Sequence, residues 1–114
     1  MRAPELDAIL AALADPTRRR VIDLLRTGPQ RASELASAAH SSRPAMSRHL
    51  RILREGGLIE DERPPEDARV RLFRLRREPF QALSGWLAQV EGFWTDQLQA
   101  FARHAEQEGE GGRP

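Results

Sequence analysis

The stretch Ser42–Arg54, SRPAMSRHLRILR, restricts the fold more than any other in the chain. Ser42 is a strong N-cap residue, because its hydroxyl can accept from the unpaired backbone N–H groups of a first helical turn. Pro44 suits that turn, where a missing N–H costs little. Beyond it, Met46, Leu50 and Leu53 recur at helical spacing and form one apolar face. At roughly 100° per residue, Pro44, Ser47, Arg48 and Arg51 fall on the opposite side, flanked by Arg43 and Arg54. No acid interrupts that run. A basic outer face with a Ser–Pro start suits a helix that reads nucleic acid. An ordinary surface helix with a solvated charged face has the same pattern, so the neighbouring elements must decide.

On the N-terminal side, Leu6, Ile9, Leu10 and Leu13 repeat at helical spacing and predict a first helix up to Ala14. Asp15-Pro16 restarts the chain, with Asp15 as cap and Pro16 in the first turn of a second helix through Val21, Ile22, Leu24 and Leu25. That helix stops at Gly28-Pro29. Its Arg18, Arg19 and Arg20 read most simply as solvated. Gln30 to Ala39 predicts a short third helix around Leu35 and Ala36, with Ser33 the best available cap. A turn at His40-Ser41 leads into the Ser42–Arg54 helix, which Gly56-Gly57 ends as a left-handed cap.

The period then changes. Residues 58–63 and 70–75 predict two short strands around a Pro-Pro-Glu-Asp-Ala loop, a hairpin with Arg69 and Arg71 near its tip. Pro79 opens a last helix in which Phe80, Leu83, Leu87, Val90, Trp94, Leu98, Phe101 and Ala105 step by three or four residues. It carries both Trp and three of the four Phe, too much apolar surface for a small domain to cover. Pairing between two copies is one expectation, through Leu6, Leu10, Leu83, Trp86, Leu87, Val90, Trp94, Leu98 and Phe101. Packing of the last helix on the first within one chain is the other. The 114 residues make one domain over residues 1–108, with a disordered tail over 109–114.

Charge distribution says more than the net charge of +1. All eighteen basic residues are Arg, a group that stays charged and presents a fork fitted to phosphates and guanine edges. Residues 43–54 hold four Arg and residues 69–77 five, with no acid in either run. From Glu78 onward the balance reverses, which suggests one face for a polyanion and another for something else. With no cysteine, structural disulfides, Fe–S clusters and thiolate metal sites are excluded. Acids at Glu5, Asp7 and Asp15 break up any signal-peptide core, and no run is long enough for a membrane span, so a cytoplasmic location is expected.

The order helix, helix, helix–turn–helix, two-stranded wing, long helix is that of a mostly α winged helix-turn-helix. On "LAALADPTRRRVIDLL", "ASELA", "SSRPAMSRHLRILREGGLIE" and "RLFRL", the chain resembles the ArsR/SmtB family of bacterial repressors over roughly residues 6 to 101. The tail "WLAQVEGFWTDQL" resembles a metal-independent branch of it. The resemblance implies a homodimer, joined through its first and last helices, that binds double-stranded DNA. Its major-groove contacts fall on Arg43, Pro44, Ser47 and Arg48. Ser42, His49 and Arg51 are better placed for phosphates, although His49 borders the apolar face and suits a packing role equally. Arg69 and Arg71 of the wing would reach flanking phosphates or a minor groove, whereas Glu66 and Asp67 beside Ala68 weaken that expectation.

The family's metal chemistry does not carry over. The segment "RASELASA" has no thiol, Asp96 is followed two places on by Leu98, and His104 is followed three places on by Gln107. No tetrahedral ligand set is visible among His40, His49 and His104, and no cofactor is implied. No nucleophile–base order, phosphate loop or carboxylate pair stands at a usable spacing for an enzyme. Two further readings stay open. One is a protein-interaction module acting through the aromatic last helix. The other is a small apolar effector lodged near Trp86 and Trp94, where core packing is the simpler use.

Overall fold

The computed structural model describes the backbone of residues 3–111 and the side chains of residues 5–108. The chain divides into two units, Met1–Leu83 and Ser84–Pro114.

In the first unit, cap chemistry and apolar spacing together set the helix boundaries. Helix α1 (Ala3–Leu13) buries Ile9 and Ala12. Asp15 then opens α2 (Pro16–Leu25): its carboxylate accepts the Arg18 N–H at 3.1 Å, and Pro16 occupies the first turn. Arg18 and Arg19 are not simply solvated. Arg18 Nε and Nη2 donate to the Ala12 and Ala11 carbonyls at 2.6 and 3.1 Å, and Arg19 Nη1 donates to the Leu13 carbonyl at 2.8 Å. Cations at the C-terminus of α1 satisfy carbonyls that have no intrahelical partner and sit favourably in the helix dipole.

Helix α3 (Ala32–Ala38) begins two residues after the expected Gln30, with Arg31 rather than Ser33 at its N-cap; the Arg31 N–H donates to Glu34 Oε1 at 3.4 Å. Gln30 is claimed by the sheet instead. Its N–H donates to the Phe73 carbonyl at 3.1 Å, and its carbonyl accepts the Phe73 N–H at 2.8 Å. At the end of α3, His40 takes a left-handed conformation (φ 53°), and the Ser41 N–H reaches back to the Ala36 carbonyl at 2.9 Å.

Helix α4 (Arg43–Glu55) follows at once. Ser42 Oγ accepts the Ala45 N–H at 3.2 Å, and Met46, Leu50 and Leu53 are buried as their spacing predicts. Gly57, at φ 76°, closes the helix: its N–H donates to the Arg54 carbonyl and that of Leu58 to the Leu53 carbonyl, both at 3.0 Å. Strands β1 (Ile59–Glu62) and β2 (Leu72–Leu75) pair antiparallel, from Ile59↔Leu75 to Glu62↔Leu72. Both are shorter than residues 58–63 and 70–75, so Arg69 and Arg71 lie in the loop between them.

Val21, Leu25, Leu35, Met46, Leu50, Leu53, Leu58, Ile59 and Phe73 join Ile9 in one core. Each fully buried aliphatic side chain there contributes roughly 1.5–3 kcal/mol, and together they fix the angle at which α4 turns its other face outward. Helix α5 (Arg77–Gly111) starts two residues before Pro79, which falls within the first turn, where its missing N–H still has no intrahelical partner to lose. Phe80 and Leu83 pack half-buried against the core. The element order is that of a winged helix-turn-helix, mostly helical with one small hairpin.

The second unit is the remainder of α5. Its apolar side chains are exposed, from 36% at Trp86 through 61% at Trp94 to 72% at Phe101. Phe93 meets Trp94 edge-to-face with ring centres 5.7 Å apart. Among the described residues no helix is long and apolar enough to cross a membrane. The tail expected from Gly109 overlaps the last turn of α5, and its residues 112–114 lie outside those described.

Candidate nucleic-acid interface

Because Met46, Leu50 and Leu53 anchor α4, the helical period turns Arg43, Pro44, Ser47, Arg48 and Arg51 to solvent, and all five are exposed. Among the described residues, no carboxylate lies within 4.0 Å of Arg43, Arg48 or Arg51. Ser42 is also exposed; its oxygen is engaged as the N-cap, which leaves the hydroxyl proton for a further acceptor.

His49 is placed differently. Its side chain is 19% exposed, with Nδ1 3.4 Å from Arg18 Nη1 and 4.0 Å from Asp15 Oδ1. The ring therefore joins α4 to the cap of α2. Asp15 is held below its ordinary pKa chiefly by the hydrogen bond from the Arg18 backbone N–H, which outweighs the opposing effect of burial.

The wing neutralises most of its own charge. Arg71 Nε donates to Asp61 Oδ2 at 2.8 Å, and its guanidinium lies 4.8 Å from the centre of the Phe73 ring. Arg54 Nη1 stands 3.9 Å from Asp61 Oδ1. The hydrogen bond from Arg71 is the main cause that lowers the Asp61 pKa. Asp67 accepts both the Arg69 N–H (3.0 Å) and its Nε (3.1 Å), and Arg63 Nη1 donates to the Ala68 carbonyl at 2.8 Å. Arg74 pairs with Glu60 and Glu62, and Arg76 with Glu60 and Glu78. Four of the five arginines in residues 69–77 thus have carboxylate partners, although that run contains no acid. Of the two acid-free arginine runs, the one on α4 keeps the larger uncompensated charge.

The profile described as "bacterial regulatory protein, arsR family" matches residues 15–61, from the cap of α2 into β1. The HTH-type transcriptional regulator Rv2034 of Mycobacterium tuberculosis is 36% identical over 104 residues, 91% of this chain and 92% of that protein. The chain belongs to the ArsR family. Transcriptional repressor SdpR of Bacillus subtilis is 38% identical over 58 residues, 51% of this chain and 64% of its own length. The crystal structure of the ArsR family transcriptional regulator RHA00566 superposes with a TM-score of 0.74 at 36% identity, over 83% of this chain and 95% of that one.

ArsR-family proteins are DNA-binding transcriptional regulators rather than enzymes, and the basic face of α4 lies within the matched segment. Of the residues expected at a pairing surface of this ArsR-family chain, Leu10 is 41% and Leu87 52% exposed, whereas Leu6 and Leu83 are half-buried. Phe93, 56% exposed, was not among them, because it lies at the edge of the arc that the spacing of Val90, Trp94 and Leu98 defines. Among the described residues, no group of three or more His, Cys, Asp or Glu side chains is gathered closely enough to hold a metal ion.

Proposed function

We propose that the protein is a homodimeric cytoplasmic repressor that binds an inverted-repeat operator and responds to no metal. The observation that carries this reading is the division of α4. One face is locked in the core, while Arg43, Arg48 and Arg51 on the other have no carboxylate partner among the described residues. Arg43, Pro44, Ser47 and Arg48 read base edges in the major groove, Arg48 through the bidentate pairing that a guanidinium makes with guanine O6 and N7. Ser42 and Arg51 hold phosphates and set register. His49 acts through Arg18 and Asp15, keeping α4 seated on the cap of α2. Two copies place two such helices about one duplex turn apart, and repression follows from occlusion of polymerase, with the protein's own promoter a candidate target. The exposed aromatic arc of α5 supports the pairing. The absence of cysteine, with Leu98 two places after Asp96 and Gln107 three places after His104, supports metal independence.

A salt titration on a duplex selected from a random pool tests this. Binding driven by phosphates should weaken steeply, with a slope of log affinity against log salt near −0.9 for each phosphate engaged. A flat response, with the protein retaining a protein partner through α5, would favour the interaction-module reading, which the exposed Trp94 and Phe101 also suit.

A further inference from the structure

A cleft of about 150 Å³ opens between α4 and the wing. Ser47, Arg51 and Arg54, spaced four and three residues apart, form one stripe of α4 along its side, and Arg71 closes it from the wing. Leu50 and Phe73 supply apolar wall. Every charged residue on the wall is cationic. The nearest carboxylate, Asp61, is not part of the lining: it turns one oxygen to Arg71 Nε at 2.8 Å and the other to Arg54 Nη1 at 3.9 Å. One acid thus binds a helix arginine to a wing arginine, and the Phe73 ring under the Arg71 guanidinium fixes the latter further.

Three guanidinium groups against one carboxylate leave the site with a surplus of about two positive charges. Its volume lies below the roughly 300–1,000 Å³ of sites that enclose drug-sized ligands, and suits a single tetrahedral oxyanion. Ser47 belongs both to this wall and to the exposed reading face of α4, so the cleft is continuous with the surface assigned to DNA. We infer that it seats one backbone phosphodiester of the bound duplex, held by Arg51, Arg54 and Arg71, with Asp61 positioning the last two. This rests on the DNA-binding reading. It adds Arg54 to the contact set and gives an acidic residue on the DNA side a constructive part.

Single methylphosphonate substitutions, which remove one phosphate charge at a time, are walked across a selected duplex and titrated with the wild type, Arg54→Ala and Asp61→Ala. One position per half-site should weaken wild-type binding by about tenfold. That same substitution should cost Arg54→Ala little more, while penalties at all other positions persist. Asp61→Ala should bind about threefold more weakly, although it removes a negative charge, and should lose part of the penalty at that one position. Thermal melting of each variant verifies that it is folded. If the Arg54→Ala loss multiplies with every phosphonate penalty, or Asp61→Ala binds more tightly, the seat is refuted and DNA binding stands. Inorganic phosphate should displace the wild-type duplex beyond chloride of equal ionic strength and lose that excess in Arg54→Ala; an excess that persists in the variant refutes the seat. If no duplex is enriched from the pool, the DNA-binding reading fails and the seat fails with it.

Discussion

Arg18 Nη1 lies 3.4 Å from His49 Nδ1, a contact between residues 31 apart that joins the first turn of α2 to the middle of α4. Arg18 has no acceptor, so the neutral His49 ring must offer the lone pair of Nδ1 and carry its proton on Nε2. The same guanidinium caps α1 through the Ala11 and Ala12 carbonyls. Arg18→Ala removes all three contacts and should cost about 1–2 kcal/mol, lowering the thermal midpoint by several degrees. Arg18→Lys should recover only part of this, because an ammonium lacks the fork. An unchanged urea midpoint for Arg18→Ala would show that these contacts are incidental.

Acid sensitivity follows from the carboxylates that hold the fold together. Asp15 and Asp61 both titrate below the ordinary 3.8 in the folded chain, the first mainly through the Arg18 N–H and the second mainly through Arg71. A depressed folded pKa means that the native state binds fewer protons than the unfolded one. The resulting stability is present above 3.8 and is lost as pH falls through the folded values. Urea midpoints at about pH 6 and about pH 3 should therefore differ, and the Asp15→Asn/Asp61→Asn variant should show a smaller difference. An equal difference in the wild type and the double variant would show that these two carboxylates do not set the acid limit.

Arg48 and Arg51 are neighbours on α4 with different expected consequences. Arg48→Ala should cost about 1–3 kcal/mol on the preferred duplex and relax the base preference at one position. Arg51→Ala should weaken preferred and random duplexes alike and make the salt slope shallower by about one. Equal losses on both duplexes for both variants would mean that the two side chains share one role.

These expectations were legible early because α4 advertises itself locally: a Ser cap, a Pro in the first turn, three apolar residues at one spacing and a Gly-Gly stop. Cap chemistry likewise placed α2 at Asp15-Pro16. What the sequence hid was non-local. Gln30 looked like the start of a helix, but its backbone groups are taken by Phe73, 43 positions away by number. The arginine run over residues 69–77 looked like a second basic patch, until antiparallel pairing set Glu60 against Arg74 and Asp61 against Phe73. Charge counted along the chain missed neutralisation across the hairpin. Arg18 and Arg19 looked solvated because nothing local shows that the end of α1 lies within their reach.

Two left-handed positions bracket α4, and they should respond in opposite directions. His40 holds φ 53° despite its Cβ, so His40→Gly should stabilise the chain by about 1 kcal/mol. Gly57, at φ 76°, has the residue that its conformation favours, and Gly57→Ala should cost about 1–2 kcal/mol. The added Cβ would come 3.3 Å from Arg76 Nη1, the far end of a flexible side chain, so backbone strain rather than crowding sets the loss. Each change should move the thermal midpoint by several degrees, and equal shifts of the same sign would rule out this account.

Trp94, 61% exposed, is the sharpest probe of the proposed pairing. An aromatic anchor at the centre of an interface commonly carries about 2 kcal/mol or more, roughly thirty-fold in dissociation constant. A two-fold interface contains the residue twice, so Trp94→Glu should act on both copies and weaken pairing by about a thousandfold. Glutamate is a good helix former, so α5 itself should persist in circular dichroism. Sedimentation should then show a monomer at concentrations where the wild type is a dimer. Affinity for an inverted repeat should fall towards that for a single half-site, because the second helix is no longer delivered with the first. If Trp94→Glu sediments as the wild type does, the two copies meet elsewhere, and the aromatic arc must be assigned to a different partner.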